Sequence, residues 1–256
     1  MAKLSWLKAD LHVHTVLSPC GELDMGPKGI VTVAAERNLD LIGITDHNAW
    51  ANVAAVTEVA KSYGITVLPG MEVQTAEEVH VLCFFPTLDQ LAVVGQQIYS
   101  RLPAIPNKPA IFGDQIIVDA EENIVAFEDR MLLNSVELTL EEVRDLTCRH
   151  GGIIIPAHVD RPAFSLIANL GFVPPDLKPA ALEISAHVDE KTALERFPML
   201  EGYTLVTSSD AHRLEDIKTP RSTFFRVAAP TLTEIAWACA GHGNRKVVIA
   251  SEDTIF

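Results

Sequence analysis

A single α/β barrel is the fold class this sequence predicts, and three observations predict it. Apolar strand-like runs alternate with helical patterns through much of the chain, which is the rhythm of parallel β/α units. A length of 256 residues suits one such domain over 1–256. Most histidines fall where a strand-like run ends, and in parallel barrels functional groups collect at the carboxyl ends of strands.

Taken in order, the strand candidates are 8–14, 41–45, 66–73, 79–85, 153–157, 181–185, 204–208 and 224–227. Helical patterns fill the gaps at 29–38, 49–63, 88–101, 140–150, 190–197 and 232–240. Thr139 followed by Glu142 reads as a capping box, which places a helix start there. The stretch 103–136 breaks the rhythm. It carries Pro103, Pro106 and Pro109, an alternating segment at 116–118, an acidic turn at 120–123 and a second apolar segment at 124–127. We read it as an inserted β-hairpin.

Composition narrows the function. With 34 acidic against 20 basic residues the formal charge is −14, which disfavours wrapping of nucleic acid over a broad basic face. A small substrate or the end of a strand stays compatible. No apolar run reaches the ~20 residues of a membrane helix, and the start lacks an apolar signal core, so a cytoplasmic protein without a membrane partner is expected. Cys20, Cys83, Cys148 and Cys239 are scattered without a C-x-x-C pair, which points to reduced thiols. The chain has no G-x-S-x-G, G-x-G-x-x-G or G-x-x-x-x-G-K-[ST] motif, so nothing suggests a serine nucleophile, a dinucleotide or a P-loop triphosphate.

The chemistry sits in five clusters. His12 and His14 form an H-x-H pair at the end of the first strand, and residues two apart on a strand point to the same side. Asp46-His47 follows the second strand; His47 is the better ligand, while Asp46 could orient a histidine or cap a helix. Glu72 ends the third strand and could bridge two cations through its two oxygens, and His80 stands near the start of the next strand. His158, with Arg161 three residues on, follows the run 152–155, and Asp210 and His212 form a D-x-H pair after 205–206. His187, after the strand 181–185, is placed to touch substrate or donate a proton. Arg161 is the first candidate for gripping a phosphate, because a guanidinium matches its oxygens in bidentate fashion.

In order along the chain, Asp10-Leu11-His12-Val13-His14-Thr15, Ile44-Thr45-Asp46-His47, Gly70-Met71-Glu72, Ala157-His158 and Ser209-Asp210-Ala211-His212 resemble the motifs of the PHP (polymerase and histidinol phosphatase) family. The resemblance implies a distorted seven-stranded β/α barrel and a site of two or three Zn, Mn or Fe ions. Carried over by position, the ligands would be His12, His14, His47, Glu72, His80, His158, Asp210 and His212. Many relatives place a further His or Asp shortly after the H-x-H, whereas this chain has Cys20, Glu22 and Asp24 there. Glu22 is carried as the candidate ligand; a Cys20 thiolate could also bind zinc.

The expected activity is therefore hydrolysis of a phosphate ester by a metal-bound hydroxide, with Glu72, Asp210, Arg161 and His187 as catalytic groups. A small phosphomonoester or nucleotide is the favoured substrate. A nuclease-like phosphodiesterase acting on oligonucleotide ends or nucleoside bisphosphates is the alternative, and a non-catalytic metal-stabilised regulatory module is the reading from another class. Oligomeric state is open.

Overall fold

The computed structural model describes residues 3–251 and 254. Its strands are β1 (Ser5–Val13), β2 (Leu41–Ile44), β3 (Thr66–Gln74), β4 (His80–Phe84), β5 (Ile116–Val118), β6 (Ile124–Phe127), β7 (Ile153–Pro156), β8 (Leu182–Ser185), β9 (Leu205–Ser208), β10 (Arg221–Val227) and β11 (Lys246–Ser251). The helices are α1 (Pro27–Glu36), α2 (Val53–Lys61), α3 (Leu88–Ser100), α4 (Pro109–Phe112), α5 (Leu140–Arg149), α6 (Leu166–Leu170), α7 (Glu190–Arg196) and α8 (Leu232–Cys239). A curled seven-stranded sheet in the order β11-β10-β1-β2-β3-β4-β7 forms a half-barrel, with β8 and β9 paired beside it. Among the described residues no helix is long and apolar enough to cross a membrane.

The parallel rhythm expected from the sequence through much of the chain holds in part. The pairs β1–β2, β2–β3 and β8–β9 are parallel, whereas β3–β4, β4–β7, β1–β10 and β10–β11 are antiparallel. The reason is chain length. Only the turn closed by Thr75 N–H to Val79 O at 2.9 Å joins β3 to β4, and a parallel partner needs a crossover of a dozen residues or more. Antiparallel β4 consequently begins at the end where β3 finishes, which brings His80 opposite Gln74. The final strand, β11, was not anticipated from the sequence.

Side-chain alternation divides the apolar residues. Leu68, Leu82, Phe84, Ile155 and Val206 pack on one side with Ala9 and Leu11, while Val67, Met71, Val73 and Cys83 belong to the larger core beneath the helices. Phe84 fills the inner side so closely that a Cβ on Gly43 would lie 2.8 Å, and one on Gly70 2.7 Å, from its ring.

Within 103–136, β5 and β6 pair as an antiparallel ribbon, Ile116 opposite Phe127. Buried Asn52 ties it to the body, donating from Nδ2 to Ile116 O at 2.9 Å and accepting from Val118 N–H at 2.9 Å. The capping box before α5 forms as expected: Glu142 N–H donates to Thr139 Oγ1 at 3.2 Å and Thr139 N–H to Glu142 Oε2 at 2.8 Å.

Candidate metal centre

The site begins with a break in strand alternation. Asp10 pairs with Ile42 but Val13 with Ile44, so β1 holds one residue more than β2 across this step. Such a bulge re-aims side chains. Leu11 faces the inner apolar cluster, Val13 packs outside with Ile42 and Ile44, and His12 and His14, both fully buried, turn inward above Leu11. Their Nε2 atoms lie 3.1 Å apart, and Asp210 Oδ1 is 3.2 Å from each.

Glu72 stands at the centre. Its Oε1 lies 2.9 Å from His80 Nδ1, 3.3 Å from His12 Nε2 and 3.4 Å from His158 Nε2. Its Oε2 lies 2.9 Å from His47 Nδ1 and 3.5 Å from His14 Nε2. The two oxygens thus face two sets of imidazoles. His212 completes a third grouping, its ring stacked on that of His14 at 4.1 Å. Asp210 (φ 53°) and His158 (φ 31°) adopt the left-handed backbone region, a local strain common where side chains must be aimed.

Other buried groups orient these. Glu183 Oε2 accepts from His12 Nδ1 at 3.0 Å and from His158 N–H at 3.0 Å, so the lone pair of His12 Nε2 is left for the cluster. His14 Nδ1 meets Ser18 Oγ at 2.9 Å. Asp46 accepts from Thr15 N–H, Thr15 Oγ1 and Ser18 Oγ at 2.7, 2.8 and 2.7 Å, which occupies it with the chain's own donors. Asp10 accepts from Ser209 N–H at 3.0 Å, tying β1 to the loop after β9.

Charge is strongly coupled here. Burial would raise Glu72, but His80, His12 and His47 hold its carboxyl well below the usual range. Burial would lower His47, yet Glu72 and Cys20 lift it to about 10. His14, buried beside His212 and His47, is pushed well below its ordinary value. Burial would raise the Cys20 thiol, yet hydrogen bonds with His212 and His47 bring it down to about 6.

The donor set fits divalent cations. His47 Nδ1 and Glu72 Oε2 are buried without a hydrogen-bond partner, a costly arrangement for polar atoms that nothing else satisfies. His47 Nδ1 and Glu72 Oε2 are close but misaligned for a hydrogen bond. Three groupings could each hold an ion: His14 with His47 and His212, His12 with His14 and Asp210, and His47 with Glu72 and His80. They open into a cavity of about 340 Å³ whose rim carries Arg161 and Phe164. A larger groove of about 810 Å³ beside α7 and β11 contains none of these groups, and chemistry rather than size decides between the two.

The structure brings together His12, His14, His47, Glu72, His80, His158, Asp210 and His212, the positions singled out in the sequence. Arg161 Nη1 lies 2.6 Å from Asp210 Oδ2 at the rim. Glu22 stands apart: it is exposed, and its carboxylate lies 3.3 Å from Arg213 Nε. His187 is exposed in the turn after β8 and does not line the cavity. Sequence reasoning passed over Glu183 and Phe164, whose ring stacks on His80 at 5.0 Å. Glu183 had a legible signal, an acid between Leu182 and Ile184 inside an apolar strand; Phe164 had none.

Fold and donor set together define a curled half-barrel carrying a candidate metal centre. The family model of the PHP domain matches residues 10–147, more than half of the 256-residue chain. The chain belongs to the PHP domain family. It is 32% identical over 79 residues to an uncharacterized protein of Methanocaldococcus jannaschii, a match covering 28% of this chain and 46% of that one. Its fold is similar to that of a lesion-specific endonuclease from Pyrococcus furiosus, PfuEndoQ, with a TM-score of 0.68, 20% identity and coverage of 96% of this chain and 59% of that one. It is also similar to PsfC from Pseudomonas syringae, with a TM-score of 0.60, 17% identity and coverage of 95% and 91%. The chain thus spans about half the length of the curated relative and 59% of the Pyrococcus endonuclease.

Proposed function

We propose that this chain hydrolyses a phosphate ester, a small phosphomonoester or nucleotide, at a centre of two or three divalent Zn, Mn or Fe ions. One observation carries the reading: buried Glu72 directs its two oxygens at separate imidazole sets, Oε1 toward His80, His12 and His158 and Oε2 toward His47 and His14. In this reading His12, His14, His47, Glu72, His80, His158, Asp210 and His212 hold the ions. Divalent cations in such a site lower the pKa of water towards ~7 and neutralise charge on phosphoryl oxygens.

The chain's own side chains do the rest. Glu183 fixes the tautomer and ring plane of His12. Arg161, held at the rim by Asp210, presents a planar fork that can turn onto a phosphate oxygen as substrate enters. Phe164, 44% exposed, lines the same mouth and offers a flat face to a leaving group. Leu82 and Phe84, both fully buried, pack with Leu11 in the inner apolar cluster. A cavity of about 340 Å³ and a net charge of −14 both favour a compact substrate.

The finer architecture in this reading is one domain over 1–256. Its distorted barrel is staved by β1, β2, β3, β4, β7, β8 and β9, and 103–136 is inserted into it. Bonds from Val159 N–H to Glu183 O at 2.8 Å and from His14 N–H to Ala211 O at 3.0 Å, at the ends of the neighbouring strands, support closure. A nuclease-like phosphodiesterase is the second reading, favoured by the fold shared with the Pyrococcus endonuclease.

A panel of phosphate mono- and diesters, assayed with metal-free and metal-restored protein, tests the proposal. Metal-dependent phosphate release from monoesters supports it, and turnover of diesters or oligonucleotide ends alone selects the second reading. Turnover of neither overturns both. Arg161→Ala should raise KM about tenfold or more, the scale of one charge-assisted hydrogen bond.

A further inference from the structure

The tight turn between β3 and β4 sets Gln74 directly opposite His80, and cross-strand partners present their side chains on one side of a sheet. Both residues are buried. Gln74 Oε1 lies 3.2 Å from His80 Nε2, while on the other side of the ring His80 Nδ1 lies 2.9 Å from Glu72 Oε1. The imidazole is thus held between two oxygens. Its backbone is fixed as well: His80 N–H donates to Phe164 O and Ala157 N–H donates to His80 O, each at 3.0 Å.

A neutral imidazole carries one N–H and one lone pair, so it can donate to only one of those oxygens. The other nitrogen then faces oxygen lone pair to lone pair, unless an ion takes the place of the missing proton. Among the described residues, the groupings able to hold an ion include His80 once, with His47 and Glu72. The proton therefore belongs on Nε2, toward the amide, and the lone pair of Nδ1 is left for the ion.

Gln74 is itself clamped by the return of the segment 103–136. Its Nε2 donates to Ser135 Oγ at 3.0 Å, and Val136 N–H donates to its carbonyl at 2.8 Å. Its N–H donates to Asn48 Oδ1 at 3.1 Å, and Asn48 Nδ2 donates in turn to Leu132 O and Asn134 O at 2.8 and 2.9 Å. The amide cannot swing away from His80 without breaking a bond to this segment.

We propose that Gln74, anchored by Ser135, is a positioning residue that commits His80 to hold its cation through Nδ1. This rests on the metal-centre reading above. Residues 132–136 thereby support the centre from outside, because they hold the amide that orients one of its ligands. An oxygen acceptor on the far nitrogen also makes the ligating nitrogen more basic.

Zinc-loaded protein labelled with 15N-histidine tests this without recourse to turnover, since long-range 1H–15N spectra distinguish a ring nitrogen that carries hydrogen from one bound to zinc. His80, identified by the signals lost in His80→Gln, should show Nε2 protonated and Nδ1 bound. In chelator competition, Gln74→Leu should bind zinc about 10–100-fold more weakly, and Gln74→Glu, which returns an acceptor, should restore the affinity. Ser135→Ala should show a smaller loss in the same direction. Zinc on His80 Nε2, a His80 ring that binds no zinc, or wild-type affinity in Gln74→Leu overturns the assignment and leaves the metal centre standing. Equal losses in Gln74→Leu and Gln74→Glu do the same, since they mark a merely structural side chain. The wild-type spectrum decides the ligating atom even if Gln74→Leu fails to fold. Wild-type protein that takes up no zinc overturns the centre and this inference together.

Discussion

The Nε2 atoms of His12 and His14 face one another at 3.1 Å, and Asp210 Oδ1 lies 3.2 Å from each. Two ring nitrogens so close, with Nδ1 of each engaged by Glu183 and Ser18, converge on one point as ligands do. His12→Ala or Asp210→Ala should lower metal content and cut hydrolysis about a hundredfold or more, as removal of a charge-stabilising group does. Far-ultraviolet circular dichroism should stay nearly unchanged. Full activity in either variant would contradict the arrangement.

Glu183 touches no cation in this account but holds two elements of the site, His12 Nδ1 and His158 N–H, through one oxygen. Glu183→Gln keeps the shape and weakens the acceptor. Metal affinity measured by chelator competition should fall about 10–100-fold, the usual effect of losing such a partner. An unchanged affinity would make Glu183 a bystander.

Three of the four thiols should separate by pH. The hydrogen bonds of Cys20 to His212 and His47 bring it to about 6, while burial pushes Cys83 and Cys239 up to about 12. Reaction follows the thiolate. In metal-free protein an aromatic disulfide reagent should therefore modify Cys20 readily near neutral pH and progressively more slowly as pH falls through about 6. Cys83 and Cys239 should react only on unfolding. Peptide mapping of the labelled protein checks the order.

Away from the site, Thr139→Ala removes the acceptor for Glu142 N–H at the start of α5. The loss should destabilise the protein by about 1 kcal/mol, read in denaturant unfolding, with metal content unaffected. A change in metal content would mean that α5 is coupled to the centre.

Much of the site was legible because strand ends are written plainly in the sequence. His47, Glu72, His158 and Asp210 each follow an apolar run. His80, near the start of its run, was the exception, and the antiparallel pairing of β3 and β4 explains it: the start of β4 and the end of β3 share one edge. The five-residue gap between the runs 66–73 and 79–85 already implied a tight turn. The bulge in β1 left no such mark. Simple alternation puts His12 and His14 on one side and Leu11 on the other, yet all three face inward because one extra residue lies opposite β2. Glu22 falls at a spacing where a ligand is expected, but the direction of a loop side chain depends on contacts such as Arg213 that spacing does not reveal.

The central claim is a cation centre gathered around Glu72, and elemental analysis of freshly purified protein, paired with phosphate-ester hydrolysis before and after chelation, tests it most directly. Fresh protein should carry two or three equivalents of Zn, Mn or Fe, and hydrolysis should be abolished by chelation and restored by metal. Protein that binds no metal even after reconstitution, or hydrolyses esters equally well without it, would contradict the account.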